Sequence, residues 1–182
     1  MRRLIRALRT ELQTAQDILA GAAVSMKKRS EPLTHAFLNR MRSFVTSTGS
    51  QEIPRVCLQG IDGYLAIPEA TLALEHEQYA GPGRGGASLR TFALPFLASQ
   101  MQRLDLLSTD SRAALLGIQQ RLGIYNQLVD EATRYQFMSF TPGDNHDLIT
   151  SNWSQLAFRA GQQAELLVEQ IAQLLTRAEM VA

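Results

Sequence analysis

The chain has one cysteine, Cys57, so no intrachain disulfide can form, and no Cys/His spacing in it matches a structural zinc site. A reducing compartment is the expectation. Charge of one sign is also lacking. The 18 Lys and Arg residues stand against 17 Asp and Glu, a net charge of +1, so no whole-molecule field draws the protein to nucleic acid. A charge-driven partner must therefore use a local patch. Long apolar runs are missing too, since no window approaches the ~18 consecutive apolar residues of a membrane span. Near the N-terminus Arg2, Arg3, Arg6 and Arg9 interrupt the apolar residues too often for a signal-peptide core. These absences predict a cytoplasmic, non-spanning protein. The same four arginines leave one route to a membrane, peripheral contact through a basic amphipathic helix. That route competes with the bundle for the apolar stripe of the helix.

Several catalytic patterns are absent as well. There is no Glu-x-x-His, which the carboxylate-bridged di-metal sites of helical bundles need on two helices. Glu75, His76 and Glu77 are neighbours that diverge on a helix, and they read as an exposed acidic turn. No Gly-x-Ser-x-Gly marks a serine nucleophile. Gly81 and Gly86 have the spacing of a phosphate-binding loop, but Ala87 stands where the lysine belongs. Arg84, the only charge in that loop, is kept as a candidate contact to a partner. Asp144, Asn145, His146 and Asp147 could supply oxygen ligands, yet turns and helix caps draw on the same side chains. No metal and no cofactor is expected. Cys57 has apolar neighbours at helical spacing and reads as buried and inert.

What the sequence does contain is helical periodicity. Ile5, Leu8, Leu12, Ala15, Leu19, Ala22 and Met26 alternate in steps of three and four, which predicts a helix from about Arg2 to Lys28. Gln13, Thr14, Gln16 and Asp17 fall off that stripe and are expected to meet water. The stripe recurs in Leu115, Ile118, Leu122, Tyr125, Val129 and Ala132, and again from Ile149 through Trp153, Leu156, Ala160, Ala164, Leu167, Ile171 and Leu174 to Ala178. Joined by the turn from Phe140 to Asn145, these last two patterns predict an antiparallel hairpin over Thr109 to Ala178. Shorter helices are expected after Pro32, around Cys57 to Leu65, over Glu69 to Tyr79, where alternation also allows a strand, and from Leu89 to Leu104. The prediction is an all-α, antiparallel bundle of five or six helices, a single domain over residues 1–182 with a flexible glycine-rich loop at about 80–88.

Two residues carry a resemblance. Arg29 and His35 are separated by five residues, which resembles the Arg-x(4–6)-His signature of the HEPN superfamily of helical ribonucleases and nucleotide-binding proteins. The resemblance implies that His35 acts as a general acid or base and that Arg29 stabilises charge on a phosphorane. A second signal is steric. Ala157, Ala160, Gly161 and Ala164 form a low-relief patch on the last long helix, and Gly117 and Gly123 interrupt its partner, so close helix approach is expected either within the hairpin or between two copies. No convergent catalytic set is visible beside these. The functional expectation is a non-catalytic protein-interaction or regulatory module that self-associates as a homodimer or binds a protein partner through its helix faces. The alternative is a HEPN-like ribonuclease using Arg29 and His35.

Overall fold

The computed structural model describes residues 2–47, 56–79, 89–138 and 145–181. Among them are eight α-helices and no strand: α1 (Arg2–Ser30), α2 (His35–Ser47), α3 (Val56–Leu65), α4 (Glu69–Tyr79), α5 (Pro95–Ser99), α6 (Thr109–Met138), α7 (His146–Leu175) and α8 (Ala178–Val181). A 3₁₀ turn over Met101–Leu106 lies between α5 and α6. The all-α class and the hairpin of two long helices are as the periodicity predicts. The larger helix count comes from connections that are themselves short helices.

The stripe of α6 is buried throughout, from Leu115 to Ala132. On α7 the buried face is wider than one stripe. Val168, Ala172 and Leu175 join Ala164, Leu167, Ile171 and Leu174 because α7 packs on α6 along one side and on α1 along another. Its first turns differ: Ile149, Trp153 and Leu156 are only half-buried, and the helix stops at Thr176, leaving Ala178 exposed and Met180 in the core. α1 also packs on α2, α3, α4, α5 and α8, and one buried cluster draws residues from all eight helices. At about 1.5–3 kcal/mol for each fully buried Leu or Ile, this cluster is the main favourable term of the fold.

α1 does more than bury a stripe. Its polar residues reach across to end the shorter helices, and here the expectation that Gln13, Gln16 and Asp17 meet water is corrected. Gln13 and Gln16 are fully buried, and the Gln16 amide donates to the carbonyls of Phe44 on α2 and Val168 on α7, 3.2 Å each. The Asp17 carboxylate accepts from the Cys57 backbone N–H at 3.3 Å and from its thiol at 2.8 Å, supplying the acceptor that the first turn of α3 needs. Cys57 is thus half-buried and bonded to a carboxylate, not sealed in apolar surroundings. Glu11 caps α5, accepting from the N–H groups of Phe96 at 2.7 Å and Leu97 at 2.8 Å. Arg9 donates to the carbonyl of Met180 in α8 at 2.8 Å.

The second helix begins at His35, not at Pro32. Thr34 caps it, its hydroxyl accepting from the Phe37 N–H at 3.2 Å, with Leu33 before the cap and Leu38 in the first turn both buried in the manner of a hydrophobic staple. Glu69–Tyr79 is a helix, so Glu75, His76 and Glu77 belong to α4 and not to a turn; the half-buried His76 ring bonds the Lys28 carbonyl at 2.8 Å. The single helix expected from Leu89 to Leu104 is instead an extended run, α5 and the 3₁₀ turn. Asn126 on α6 holds the extended part by bonding both the N–H and the carbonyl of Phe92, at 3.0 and 2.8 Å, which a helix at Phe92 would use internally. Beside it the buried Tyr125 hydroxyl donates to the Arg90 carbonyl at 3.2 Å, and burial pushes its pKa up to about 12.

Candidate functional site

The C-terminal end of α1 carries three consecutive cations, Lys27, Lys28 and Arg29. Successive helical residues point about 100° apart, and each of the three lies on a different aromatic ring. Lys27 sits 5.7 Å from the ring centre of Phe37 on α2, Lys28 4.8 Å from that of Tyr64 on α3, and Arg29 5.5 Å from that of Trp153 on α7. The positive charge suits the helix terminus, where unsatisfied carbonyls gather. Lys28 also donates to the Tyr64 hydroxyl at 3.3 Å. Burial lowers the pKa of Arg29 from its ordinary value.

Beside this fan a groove of about 400 Å³ opens between the end of α1 and the first turns of α2, lined by Lys27, Glu31, Pro32, Thr34, Ala36, Phe37 and Arg40. Its floor is the Phe37 ring, flanked by Lys27 and, at 5.9 Å, by Arg40. Each cation has a carboxylate of its own. Lys27 pairs with Glu31 at 2.7 Å, one helical turn away, and Arg40 pairs with Glu165 of α7. A smaller hollow of about 60 Å³ lies on the other side of Lys27, against Gly161 and Phe158. The arrangement runs acid, base, aromatic, base, acid, with an apolar floor between two exchangeable ion pairs. It can receive a group that is apolar on one side and charged on the other.

The residues singled out from the sequence are distributed differently. Arg29 and His35 flank the link 31–34 but face separate elements, Arg29 the Trp153 ring and His35 the α3–α4 turn. The His35 ring bonds the Ile67 carbonyl through Nε2 at 2.9 Å, and its backbone N–H donates to Glu69 at 3.2 Å. Neither residue lines the groove. Ala157, Ala160, Gly161 and Ala164 are buried, and Gly161 lies directly against Met26 of α1, so the chain itself covers this patch. Arg84 and the 80–88 loop lie outside the described residues, as does the hairpin turn up to Asp144. Asn145 stands at the N-cap of α7 and its carbonyl accepts from the Ile149 N–H at 3.0 Å, but its side chain makes no capping hydrogen bond, and His146 and Asp147 are exposed in the first turn. Among the described residues no group of three or more His, Cys, Asp or Glu is placed to hold a metal ion. No described helix is long and apolar enough to cross a membrane, and Leu4, Ile5 and Leu8, the apolar residues among the N-terminal arginines, are in the core.

Lys27, Glu31, Phe37, Arg40 and Glu165 were not readable as a site. The Lys27–Glu31 spacing and the Phe37–Arg40 spacing are local signals, but Glu165 lies 125 residues from Arg40 and only the fold unites them. Comparison with protein-family models, with curated proteins and with solved structures finds no match to this chain.

Proposed function

We propose that this protein is a non-catalytic interaction module, and that the groove between α1 and α2 takes a peptide segment presenting an acidic side chain beside an apolar one. The observation that carries this reading is the Phe37 ring held between Lys27 and Arg40, with Glu31 lining the groove beside Lys27 and Glu165 paired with Arg40 from the neighbouring hollow. An incoming carboxylate replaces Glu31 or Glu165 at its cation, and the adjoining apolar group lies on Phe37 and Pro32. Exchange of one exposed ion pair for another is nearly neutral, so the affinity comes from the apolar contact and the specificity from the charge.

The test uses fluorescein-labelled peptides in which Asp or Glu alternates with Leu or Phe, and matched peptides with Lys in place of the acids, read by fluorescence anisotropy. Acidic peptides are expected to bind and Lys peptides not to. Lys27→Ala and Arg40→Ala should each weaken binding by about tenfold, because each leaves Glu31 or Glu165 without its cation and opposed to the incoming carboxylate. Equal binding of both peptide sets, or binding indifferent to both substitutions, refutes the reading. The HEPN-like alternative has a separate readout. RNA cleavage by the protein that disappears in His35→Ala would displace the interaction reading altogether.

A further inference from the structure

α6 packs on α7 and on the 3₁₀ turn, and its opposite face is exposed along most of its length. Gly123 sits in the middle of that face, and Gly117 lies half-buried at its margin, about 120° round the helix. Among the described residues a methyl group at either position would meet nothing within 4 Å, so no described packing calls for glycine there, although glycine is unfavourable within a helix. From Ala113 to Gln127 the exposed residues carry no charge, and two of them, Leu116 and Ile124, are large apolar side chains exposed by 42% and 43%. Charge returns at the two ends of this stretch: Arg112 at one, and Asp130, Glu131 and Arg134 at the other, which leaves the second end net negative. Arg112 stands one turn before Leu116, and Asp130 and Glu131 stand about one turn after Gln127. Among the described residues none of these three forms an ion pair.

We propose that a second copy of this chain docks on this face, with the two α6 helices antiparallel about a two-fold axis passing between Gln120 and Gly123. The charge pattern selects this occupant, because a face positive at one end and net negative at the other complements itself only when reversed. Counted outward from the axis in steps of four, Leu116 lies opposite the partner's Gln127 and Arg112 opposite the partner's Glu131. Two-fold symmetry places the Arg112–Glu131 pair at both ends of the interface. Gln120 then lies opposite the partner's Gly123, whose bare backbone lets the helices approach where a larger side chain would hold them apart. A parallel arrangement would set arginine against arginine and acid against acid. The groove on α1 and α2 is a separate surface and plays no part in this contact.

Sedimentation equilibrium from low to high micromolar concentration tests the proposal. The mass should rise from the 20.2 kDa monomer towards twice that value. Arg112→Glu and Glu131→Arg should each raise the dissociation constant by at least about tenfold, since each replaces two attractions with two like-charge contacts. The double variant restores the pairs with their signs exchanged and should dimerise like the original chain. Gly123→Leu should also weaken the dimer while leaving the monomer's thermal midpoint unchanged or raised, which separates blocked docking from misfolding. A monomer at high micromolar concentration overturns the proposal. So does a dimer that survives both single reversals, or one that the double reversal fails to rescue.

Discussion

Replacing Gly161 by alanine adds one methyl group at the closest approach of α7 to α1, and the structure gives the sign of the result. The new carbon would lie 2.5 Å from Met26 Cβ, 3.2 Å from its Cγ and 3.8 Å from its Cα. Both β-carbons are fixed by their backbones, so a new Met26 rotamer cannot relieve the shortest contact. Ordinary carbon contacts are about 3.5–4.0 Å, so the helices must part by roughly 1 Å over an interface that is otherwise close-packed. Such overpacking costs about 1–3 kcal/mol, and a full ångström belongs near the upper end. Alanine returns about 1 kcal/mol of helix propensity. The net expectation is a loss of about 1–2 kcal/mol. Gly117→Ala is the control, because it makes the same covalent change in a helix of the same length with nothing within 4 Å, and it should gain about 1 kcal/mol. Urea titrations followed by circular dichroism, at concentrations low enough to hold a monomer, should separate the two variants by about 2–3 kcal/mol at a common slope. In thermal midpoint that is roughly 4–12 °C. A Gly161→Ala protein at least as stable as Gly117→Ala would refute the α1–α7 contact described here.

Three further outcomes follow from the packing. The Tyr125 pKa is raised in the folded protein to about 12 from an ordinary value of 10.0. The unfolded chain therefore ionises first, and the stability this group contributes is complete below about pH 10 and lost by pH 12; at about 1.4 kcal/mol per unit the loss approaches 3 kcal/mol. Urea midpoints measured across that range should fall less steeply in Tyr125→Phe, and an unchanged profile would place the ring outside the core. Glu11→Ala removes both acceptors from the first turn of α5 and should cost about 1–2 kcal/mol, with faster amide exchange at Phe96 and Leu97 as its local signature. Trp153 is half-buried beneath Arg29, so Trp153→Ala should cost about 1–3 kcal/mol by chemical denaturation, less than the ~3–5 kcal/mol of a fully buried indole.

The long helices were legible because their burial is periodic, and periodicity is a local property. Leu8, Leu12, Leu115, Ile118, Leu167 and Ile171 each stand where the three-four alternation puts them. Two kinds of feature were not legible. Gln13 and Gln16 read as surface residues because they are polar and off the main stripe, but α1 is covered on several sides and Gln16 meets the carbonyls of Phe44 and Val168. The caps supplied by Glu11 and Asp17 lie 85 and 40 residues from the helix starts they serve, so no motif of adjacent residues announces them. The same holds for Arg40 and Glu165 in the groove. The glycines divide along this line. Sequence placed all three in long helices, and only the fold distinguishes Gly161, pressed on Met26, from Gly117 and Gly123, which face open space.

The position of α1 in the packing has a bearing on how the protein is made. Of the described helices α1 leaves the ribosome first, and its most extensive neighbour, α7, does not begin until His146. At roughly 5–20 residues per second, about 6–23 seconds pass between the completion of α1 and the start of α7. Throughout that interval the face of α1 that meets α7, with Gln16 and Met26 on it, lacks its final covering. The helix that anchors the ends of α3, α5 and α8 is thus synthesised before all three and fully covered only after α7 is made. A nascent chain arrested between Met138 and His146 should accordingly expose an apolar stripe that chaperones recognise, and release of the full-length chain should end that recognition.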